Sequence, residues 1–501
     1  MNNPHLESRD PQAPSELAGK GFYNVLNTTL IVVRGVALSI LVARILGPSK
    51  QGMYAFLIYI VQVAVQLVNL GFPNTIIRFV AKKIGEGDTT SAAAVIRYVI
   101  RRELVLGFCA TIGLVLLANP LSNVVSGGIP LLFFVIAALA ILPDSLTIAY
   151  ESSFEGVLAY RLLLRFNCLL LPISLVSAIG VLLLGGGVQG LLVIKVILAF
   201  TRIFLYRRAL ERILPSGLSL DNNTRQEVSG YARNLAAIFF FDSVVWQRSE
   251  MLFLYLFRTR AEMAFYDISY MVVGMAMRII PEKLTDILFP VFAGLEGRGD
   301  RNTTKDYHYR STRLLFAISL PIATAIFIYA PLLITKVYGA EYVSAAGAIR
   351  IFCISAPLIT IARATAYLLY AAGWHRFNVR LAGYAAAGNI LLDVLLIPSF
   401  GIIGAAIANS VTQLTAAGIL TTYVMRKTGG NLPWWGMGKT VLAGMCQIAA
   451  MWSLSLVFNG WSLLIIGVSV GLVVYISAVL AFGILTTDER YRLSSYIRNR
   501  F

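Results

Sequence analysis

The sequence predicts an all-α integral membrane protein with fourteen transmembrane helices. Hydrophobic residues make up 57% of the 501 positions and charged residues only 13%, whereas a soluble domain carries roughly 25% charged residues. No Asp, Glu, Lys or Arg occurs between Glu103 and Asp144, or between Lys439 and Asp488. Because one helix spans a bilayer with about 20 apolar residues, each of these stretches holds two spans. The composition excludes a water-soluble enzyme, a disordered chain and a disulfide-stapled secreted module.

Turn signals divide the apolar stretches into individual helices. Asn119-Pro120 and Gly127-Gly128 end and separate spans in the first long stretch, and Asn459-Gly460 does so in the last. The fourteen predicted spans lie near 22–46, 52–76, 103–119, 129–150, 162–184, 188–206, 235–257, 265–292, 314–335, 345–372, 380–398, 402–424, 439–458 and 461–485.

The distribution of basic residues orients this arrangement. With the N-terminus in the cytoplasm, 29 of the 42 Lys and Arg residues lie on the cytoplasmic side, 6 lie in outer loops and 7 lie within spans. This asymmetry across short loops follows the positive-inside rule. We therefore expect a multi-pass protein of the cell (plasma) membrane with both termini cytoplasmic. The net charge of +17 is explained by this orientation, and we expect no nucleic-acid partner.

Two halves of the chain resemble each other, which predicts a duplicated architecture. Gly187 and Gly190 open the sixth span, and Gly401 and Gly404 open the twelfth with the same spacing. We expect two pseudo-symmetric six-helix lobes plus two extra C-terminal helices. The predicted divisions are 1–210 for the N-terminal lobe, 211–428 for the C-terminal lobe, and 429–501 for spans thirteen and fourteen with a cytoplasmic tail. Parallel repeats of this kind occur in transporters.

Four segments carry a family resemblance. Residues 43–54 read ARILGPSKQGMY, 70–81 read LGFPNTIIRFVA, 388–393 read GNILLD and 401–406 read GIIGAA. Together they resemble the polysaccharide transporter family, the oligosaccharide flippases of the multidrug/oligosaccharidyl-lipid/polysaccharide (MOP) superfamily. The resemblance covers roughly spans one to twelve. It implies a substrate that carries a glycan on a polyprenyl phosphate or diphosphate. Fourteen spans are common among these flippases and the related lipid II flippases, whereas multidrug extruders usually have twelve.

Arginines inside the predicted spans are candidate contacts for that phosphate: Arg34, Arg248, Arg278 and Arg363. A charge at the centre of a span costs about 2.5–3.5 kcal/mol on insertion scales, so such residues tend to face a cavity or a partner. Arg34 stands midway along the first span, and we expect it to face a water-filled cleft. Guanidinium groups match phosphate oxygens bidentately. Lipid II flippases carry cavity arginines in the first and eighth spans, where Arg34 and Arg278 lie. The alternative is internal pairing, for example of Arg278 with Glu282.

A second set of residues is a candidate for energy coupling. Asn389 and Asp393 are four residues apart and share a helix face. The resemblance to sodium-binding lipid II flippases implies a site formed by Asp242, Asn389, Asp393, the Ala405 carbonyl and Asn409. Asn409 departs from that pattern, which has a hydroxyl residue there. Three readings remain open: a Na⁺ site, a proton carrier, and a polar cluster that only bonds helices together. No cofactor is expected beyond a coupling Na⁺ or H⁺.

These observations predict a flippase that translocates lipid-linked oligosaccharide by alternating access, for the synthesis of cell-surface polysaccharide or other glycans, and that is not an enzyme. One alternative is a cation-coupled antiporter of multidrug or small-molecule type. Another is a membrane enzyme of glycan assembly, which the short loops disfavour. A third is a scaffold derived from a transporter. The expected partners are the lipid-linked oligosaccharide and membrane lipids, with glycan-assembly enzymes as further candidates, and we expect a monomer.

Overall fold

Helices form the regular secondary structure throughout the part of the chain that the computed structural model describes, residues 14–123, 128–214, 220–246 and 248–484. Within these ranges there is no strand. The chain divides into two compact units, Met1–Ala264 and Phe265–Phe501.

Unit 1 contains nine complete helices and the first residues of a tenth. They are α1 (Pro14–Val68), α2 (Phe72–Gly85), α3 (Thr89–Asn123), α4 (Leu131–Ala138), α5 (Ile141–Gly156), α6 (Tyr160–Leu183), α7 (Gly187–Ile213), α8 (Asn222–Trp246), α9 (Glu250–Phe257) and the start of α10 (Arg260–Ile279).

A glycine divides the long helix α1 into two arms. Gly47 has φ 72° and ψ 173° and is followed by Pro48. Glycine adopts a positive φ without the steric cost that a Cβ would impose, and proline supplies no backbone N–H to continue the helical ladder. The sequence signature that begins at residue 43 therefore marks a sharp change in chain direction.

The core of unit 1 that the structure describes lies where α2, α3, α5 and α7 meet the first half of α8. Ile76, Val95, Phe154, Tyr206 and Val228 are all fully buried in one cluster. Outside this cluster, large apolar side chains of the same helices face outward, as Leu116 of α3 and Phe200 and Phe204 of α7 do. Apolar residues on both faces of a helix are expected where one face contacts protein and the other contacts lipid.

Unit 2 continues with α10 and adds seven α-helices and a short 3₁₀ helix (Ala340–Tyr342). The α-helices are α11 (Pro281–Asp286), α12 (Leu288–Gly297), α13 (Arg301–Val337), α14 (Ala345–Ala371), α15 (His375–Thr428), α16 (Trp434–Ser455) and α17 (Gly460–Ala481). Helices α13 and α14 pack on one another, as do α14 and α15, and α16 and α17.

Helix α15 repeats the design of α1. Gly401 has φ 56° and ψ −130° and separates an arm that includes Pro398 from a second arm. Just beyond this break, a Cβ added to Gly404 would overlap the carbonyl oxygen of Leu396. The two arms approach closely here because Gly404 has no side chain.

Nine helical segments of the described chain are long and apolar enough to cross a membrane, or ten when the bent pair Arg260–Ile279 and Pro281–Gly297 is included. This confirms a multi-pass, all-helical protein but not the predicted count of fourteen. Two of the nine segments each cover two predicted spans, because α1 and α15 each consist of two helical arms that meet at a non-helical glycine, Gly47 or Gly401. The seventh predicted span is divided between α8 and α9, and α16, over the thirteenth, is not among the nine.

The compact units and the predicted lobes are divided at different places. The units meet between Ala264 and Phe265, inside α10, whereas the sequence repeat places the lobe boundary between residues 210 and 211. The compact units are defined by contacts within the structure, whereas the lobes are defined by the sequence repeat. The lobe boundaries therefore stay predictions.

Candidate functional sites

Arg34 lies in the first arm of α1, within the candidate membrane span Leu26–Val68. Its side chain is half-buried, and it interacts electrostatically with Glu151 of α5 and Arg202 of α7. No acidic group of the described residues lies within ion-pair distance of the Arg34 guanidinium. Arg34 therefore lies within a candidate span, and its positive charge is only partly compensated.

The residues around Arg34 form a polar cluster that the sequence did not reveal. The Tyr206 hydroxyl, fully buried, donates to Glu151 Oε1 at 3.2 Å. Arg202 Nε is buried and has no hydrogen-bond partner in the described structure. Two guanidinium groups thus share one carboxylate, and the cluster carries a net positive charge. It was missed because the fourth span was predicted to end at residue 150, one position before Glu151.

A second polar pair joins the same two helices. Lys195 Nζ of α7 lies 2.5 Å from Asp144 Oδ2 of α5, and both side chains are about three-quarters buried. Lys195 was recognised as a charge inside a predicted span, and its partner stands at the start of α5. This ion pair accounts for Lys195 structurally.

Arg248 lies at the break between α8 and α9, where it adopts a positive φ of 59°. Its Nη2 donates to Gln62 Oε1 of α1 at 3.2 Å. The prediction of a helical Arg248 deep inside span seven is wrong, because the helix is interrupted at this residue. A positive φ costs a non-glycine residue roughly 1–2 kcal/mol.

Arg278 and Arg363, the two candidate arginines of unit 2, share one carboxylate. Arg363 Nη1 lies 2.8 Å from Glu282 Oε2, and Arg278 Nε lies 3.7 Å from the same oxygen. The pairing of Arg278 with Glu282, given above as the alternative to a phosphate contact, is present, although α10 ends at Ile279 and the chain bends by 51° before α11. The contact with Arg363 of α14 is one that local spacing could not reveal.

The predicted coupling residues of unit 2 lie symmetrically about the Gly401 break. Asp393 and Asn409 are each eight residues from Gly401, so both lie roughly 12 Å along their arms at 1.5 Å per residue. Asn389 Nδ2 donates to Asp393 Oδ2 at 3.0 Å, and Gln413 Nε2 donates to Asn409 Oδ1 at 2.9 Å. All four polar side chains are buried, and so is Ala405. Gln413 was not predicted, although it follows Asn409 by the same four-residue interval.

The chemistry of these groups fits a hard cation. Carboxylate, amide and backbone carbonyl oxygens are the ligands that such cations prefer in proteins. Within the described part of the chain, no group of three His, Cys, Asp or Glu side chains could hold a metal ion, so a site here would depend on one carboxylate and neutral oxygens. Asp242 belongs to α8 of the other unit, and its side chain lies outside the described residues.

A family model described as "Polysaccharide biosynthesis protein" matches residues 41–347, more than half of the chain. The chain belongs to this family. The family resemblance inferred from residues 43–54 and 70–81 is therefore confirmed, since both segments lie within the match. The segments 388–393 and 401–406 lie beyond it.

Solved structures share the fold of this polysaccharide biosynthesis protein. The lipid II flippase MurJ in an inward closed conformation superposes with a TM-score of 0.72 at 13% identity, over 92% of this chain and 98% of that one. An inward-facing multidrug resistance MATE family transporter of the MOP superfamily gives 0.67 at 14% identity, over 79% and 94%. The Vibrio cholerae MATE transporter VcmN gives 0.56 at 18% identity, over 83% and 98%. At these identities the likeness establishes the fold.

One curated relative matches part of this chain. An uncharacterized membrane protein of Methanocaldococcus jannaschii is 28% identical over 121 residues. The match spans 24% of this chain and 24% of that relative.

Proposed function

We propose that this protein is a flippase that translocates lipid-linked oligosaccharide between membrane leaflets during polysaccharide biosynthesis. Family membership supports a role in that process, and the fold shared with a lipid II flippase supports a transport mechanism. The proposed substrate carries its glycan on a polyprenyl phosphate or diphosphate. The protein moves this substrate by alternating access and makes or breaks no covalent bond.

Arg34 carries the proposal. A partly compensated guanidinium inside a candidate span needs water or an anion, because hydrocarbon does not solvate it. A phosphate group supplies that anion, and its oxygens accept parallel hydrogen bonds from the guanidinium fork. Arg202 adds a second positive charge beside Arg34. The glycan would travel through water while the polyprenyl tail stays in lipid.

The other three arginines have different proposed roles. Arg278 and Arg363 share Glu282, so their combined charge of +1 favours a supporting contact with the phosphate. Arg248 contacts Gln62 at a helix break, and we assign it the same supporting role. Asn389, Asp393, Ala405 and Asn409, together with Asp242, are the proposed coupling site for Na⁺ or H⁺.

The proposal includes a topology. We assign fourteen spans by counting the two arms of α1 and of α15 separately and by including α8 with α9, the bent pair, and α16. Fourteen is an even number, so both termini lie on the same side, and the basic loops place that side in the cytoplasm. The host membrane is then the plasma membrane, and the protein acts as a monomer.

Reconstitution in liposomes with fluorescent lipid-linked oligosaccharide tests this function. We expect Arg34→Ala to lower leaflet exchange at least tenfold, since a charge-assisted contact contributes about 1.5–3 kcal/mol. Arg34→Lys should recover part of the loss, because the charge is kept while the fork is lost. Arg101, an exposed arginine of α3, is the control, and Arg101→Ala should exchange normally. Exchange by Arg34→Ala at the wild-type rate would remove Arg34 from the mechanism.

A further inference from the structure

Four exposed arginines of unit 1 form a cluster just outside the predicted spans. Arg78 lies in α2 and Arg102 in α3, and Arg225 and Arg233 lie in the first half of α8. We call these four residues the arginine cluster. They belong to the segments 77–102 and 207–234, which the charge distribution places on one side of the membrane. None of them takes part in the phosphate contacts proposed above.

The first half of α8 presents one continuous polar face. Residues three or four apart share a helix face, and five polar residues at this spacing line a cavity of about 520 Å³: Asn222, Arg225, Gln226, Ser229 and Arg233. The opposite face carries Val228 and Ala232, which are buried in the core of unit 1. The volume is within the range of about 300–1,000 Å³ that is typical of small-ligand sites.

Aromatic rings and a hydroxyl pair hold these arginines in place. The Arg225 guanidinium lies 5.6 Å from the centroid of the Tyr98 ring, and Arg102 lies 6.0 Å from the same ring. The Tyr98 hydroxyl oxygen is 2.7 Å from Ser229 Oγ and accepts a hydrogen bond from Arg102 Nη1 at 3.1 Å. On another side of α8, Arg78 lies 4.3 Å from the Tyr231 ring. Guanidinium groups held in this way lose less freedom when they bind a ligand.

The positive charge of the cluster is not neutralised within the described structure. None of the four arginines lies within ion-pair distance of an acidic group there. At the starts of α3 and α8, Asp88 Oδ1 accepts from the Ser91 N–H at 2.9 Å, and Asp221 Oδ2 accepts from the Thr224 N–H at 2.9 Å. The cavity therefore favours an anion.

The surface beside the cluster is apolar and exposed. Leu104, Val105 and Leu106 follow Arg102 in α3, and each exposes between 39% and 55% of its surface. A ligand with an anionic head and an apolar tail would place its head among the arginines and its tail along these residues. A soluble anion would make only the first of these contacts.

We propose that the arginine cluster is a loading site for the diphosphate group of a polyprenyl lipid. The inference rests on the proposed function for its substrate class but assigns a site distinct from Arg34. Arg225, Arg233 and Arg102 bind the phosphate oxygens, and Ser229 supplies a further hydroxyl at the cavity wall. Substrate bound here waits at the membrane surface before it is translocated.

The test measures binding of polyprenyl diphosphate to the full-length protein in phosphatidylcholine nanodiscs, without transport. We expect the double variant R225Q/R233Q to bind about tenfold more weakly than the wild type, and R225K to show a smaller loss. The matched control is R376Q/R380Q, which removes the same charge from exposed residues at the start of α15 and should change binding less than twofold. Thermal melting of each variant verifies folding.

Competition experiments identify the ligand. Uncharged polyprenol, phosphatidylglycerol and inorganic pyrophosphate should each compete at least tenfold less effectively than polyprenyl diphosphate. Equal competition by phosphatidylglycerol would reduce the cluster to a general anionic-lipid surface, and equal competition by pyrophosphate would point to a soluble ligand. Equal binding by the two double variants would also overturn the site.

Leaflet exchange separates this inference from the proposed function. In liposomes, R225Q/R233Q should need about tenfold more substrate to reach half-maximal exchange, while its maximal rate stays unchanged. If the protein bound polyprenyl diphosphate through Arg225 but the wild type did not exchange substrate between leaflets, the proposed function would be wrong and the loading site would stand. If the protein exchanged substrate normally but its binding of polyprenyl diphosphate did not depend on Arg225, only the loading site would be wrong.

Discussion

Glu282 is the acidic partner of two candidate arginines. Its Oε2 lies 2.8 Å from Arg363 and 3.7 Å from Arg278, and the carboxylate side chain is only 25% exposed. We expect Glu282→Gln to lower the free energy of unfolding by about 1–3 kcal/mol, between the values for exposed and buried ion pairs. The loss arises because two guanidinium groups are left without their shared anion. Thermal unfolding in detergent measures it.

Asp306 provides the control for this substitution. Its Oδ2 lies 2.8 Å from Arg310 Nε, but both side chains are more than half exposed. Asp306→Asn should therefore change the unfolding free energy by less than about 0.5 kcal/mol. Equal effects of the two substitutions would show that Glu282 is only a surface partner of its arginines.

The sequence alone identifies a charged residue as unusual when its neighbours are apolar, because the free energy of inserting that charge into a membrane is then high. Arg34 stands in the middle of an apolar stretch, and this alone marks it as unusual. Its neighbours Glu151 and Arg202 come from helices far along the chain, and no local spacing connects them. The Arg363–Glu282 contact was missed for the same reason. Arg248 was predicted as helical because the break beside it has neither proline nor glycine.

Helix α3 begins with an acidic cap that is sensitive to pH. Asp88 Oδ1 accepts from the Ser91 N–H at 2.9 Å and from the Thr90 hydroxyl at 2.8 Å, and these hydrogen bonds lower the pKa of Asp88 from 3.8 to about 2. Because the pKa of Asp88 is lower in the folded state than in the unfolded state, the ionised carboxylate stabilises the folded state at pH values above 3.8. This stabilisation is lost as the pH falls from 3.8 to about 2.

Asp88→Asn should remove this pH dependence while keeping a good capping residue. We expect the thermal midpoints of the wild type and the variant to differ most above pH 4 and to converge as the pH approaches 2. Parallel melting curves over pH 6 to 2 measure the difference. A constant difference over that range would show that Asp88 has the same pKa in both states.

At the level of the helix, the close approach of the two arms of α15 at Gly404 allows a prediction about stability. A Cβ on Gly404 would overlap the Leu396 carbonyl oxygen, and a backbone atom cannot move aside as a flexible side chain can. We expect Gly404→Ala to destabilise the protein by at least about 2 kcal/mol, in the range of overpacked cores. The measurement is thermal unfolding with size-exclusion chromatography of the purified protein.

Gly418 is the matched control, because it lies in the same arm of α15 and nothing stands within 4 Å of its added Cβ. Gly418→Ala should be neutral or stabilise by up to about 1 kcal/mol, since alanine favours the helix. If both variants were equally stable, the two arms would not be as close as Gly404 places them.

The sequence predicted where helices bend better than how many separate helices there are. Both Gly47 and Gly401 were expected to separate spans, and both have positive φ. Each glycine interrupts the helical backbone between two arms, so α1 and α15 each contain two predicted spans. Hydropathy reports the membrane-crossing length of a segment, whereas helix continuity depends on the local backbone conformation, which hydropathy does not encode.

At the scale of the whole molecule, the two candidate sites lie in different compact units. The positive cluster around Arg34 belongs to unit 1, and the buried polar residues about Gly401 belong to unit 2. The proposed coupling of a bound cation to substrate requires a conformational change that both ligands bias. Family membership and fold do not specify such coupling, so transport measurements must decide it.

Asp393 provides the decisive measurement. In liposomes with an inward sodium gradient, we expect leaflet exchange to be faster than without sodium, and Asp393→Asn to abolish this stimulation, since the charged oxygen of the proposed site is lost. Asp306→Asn is the control and should keep it. A response to a pH gradient instead of sodium, abolished by the same substitution, would assign Asp393 to proton transfer. Exchange that is indifferent to both gradients and to Asp393→Asn would leave the buried polar residues with the structural task of holding the two arms of α15 together.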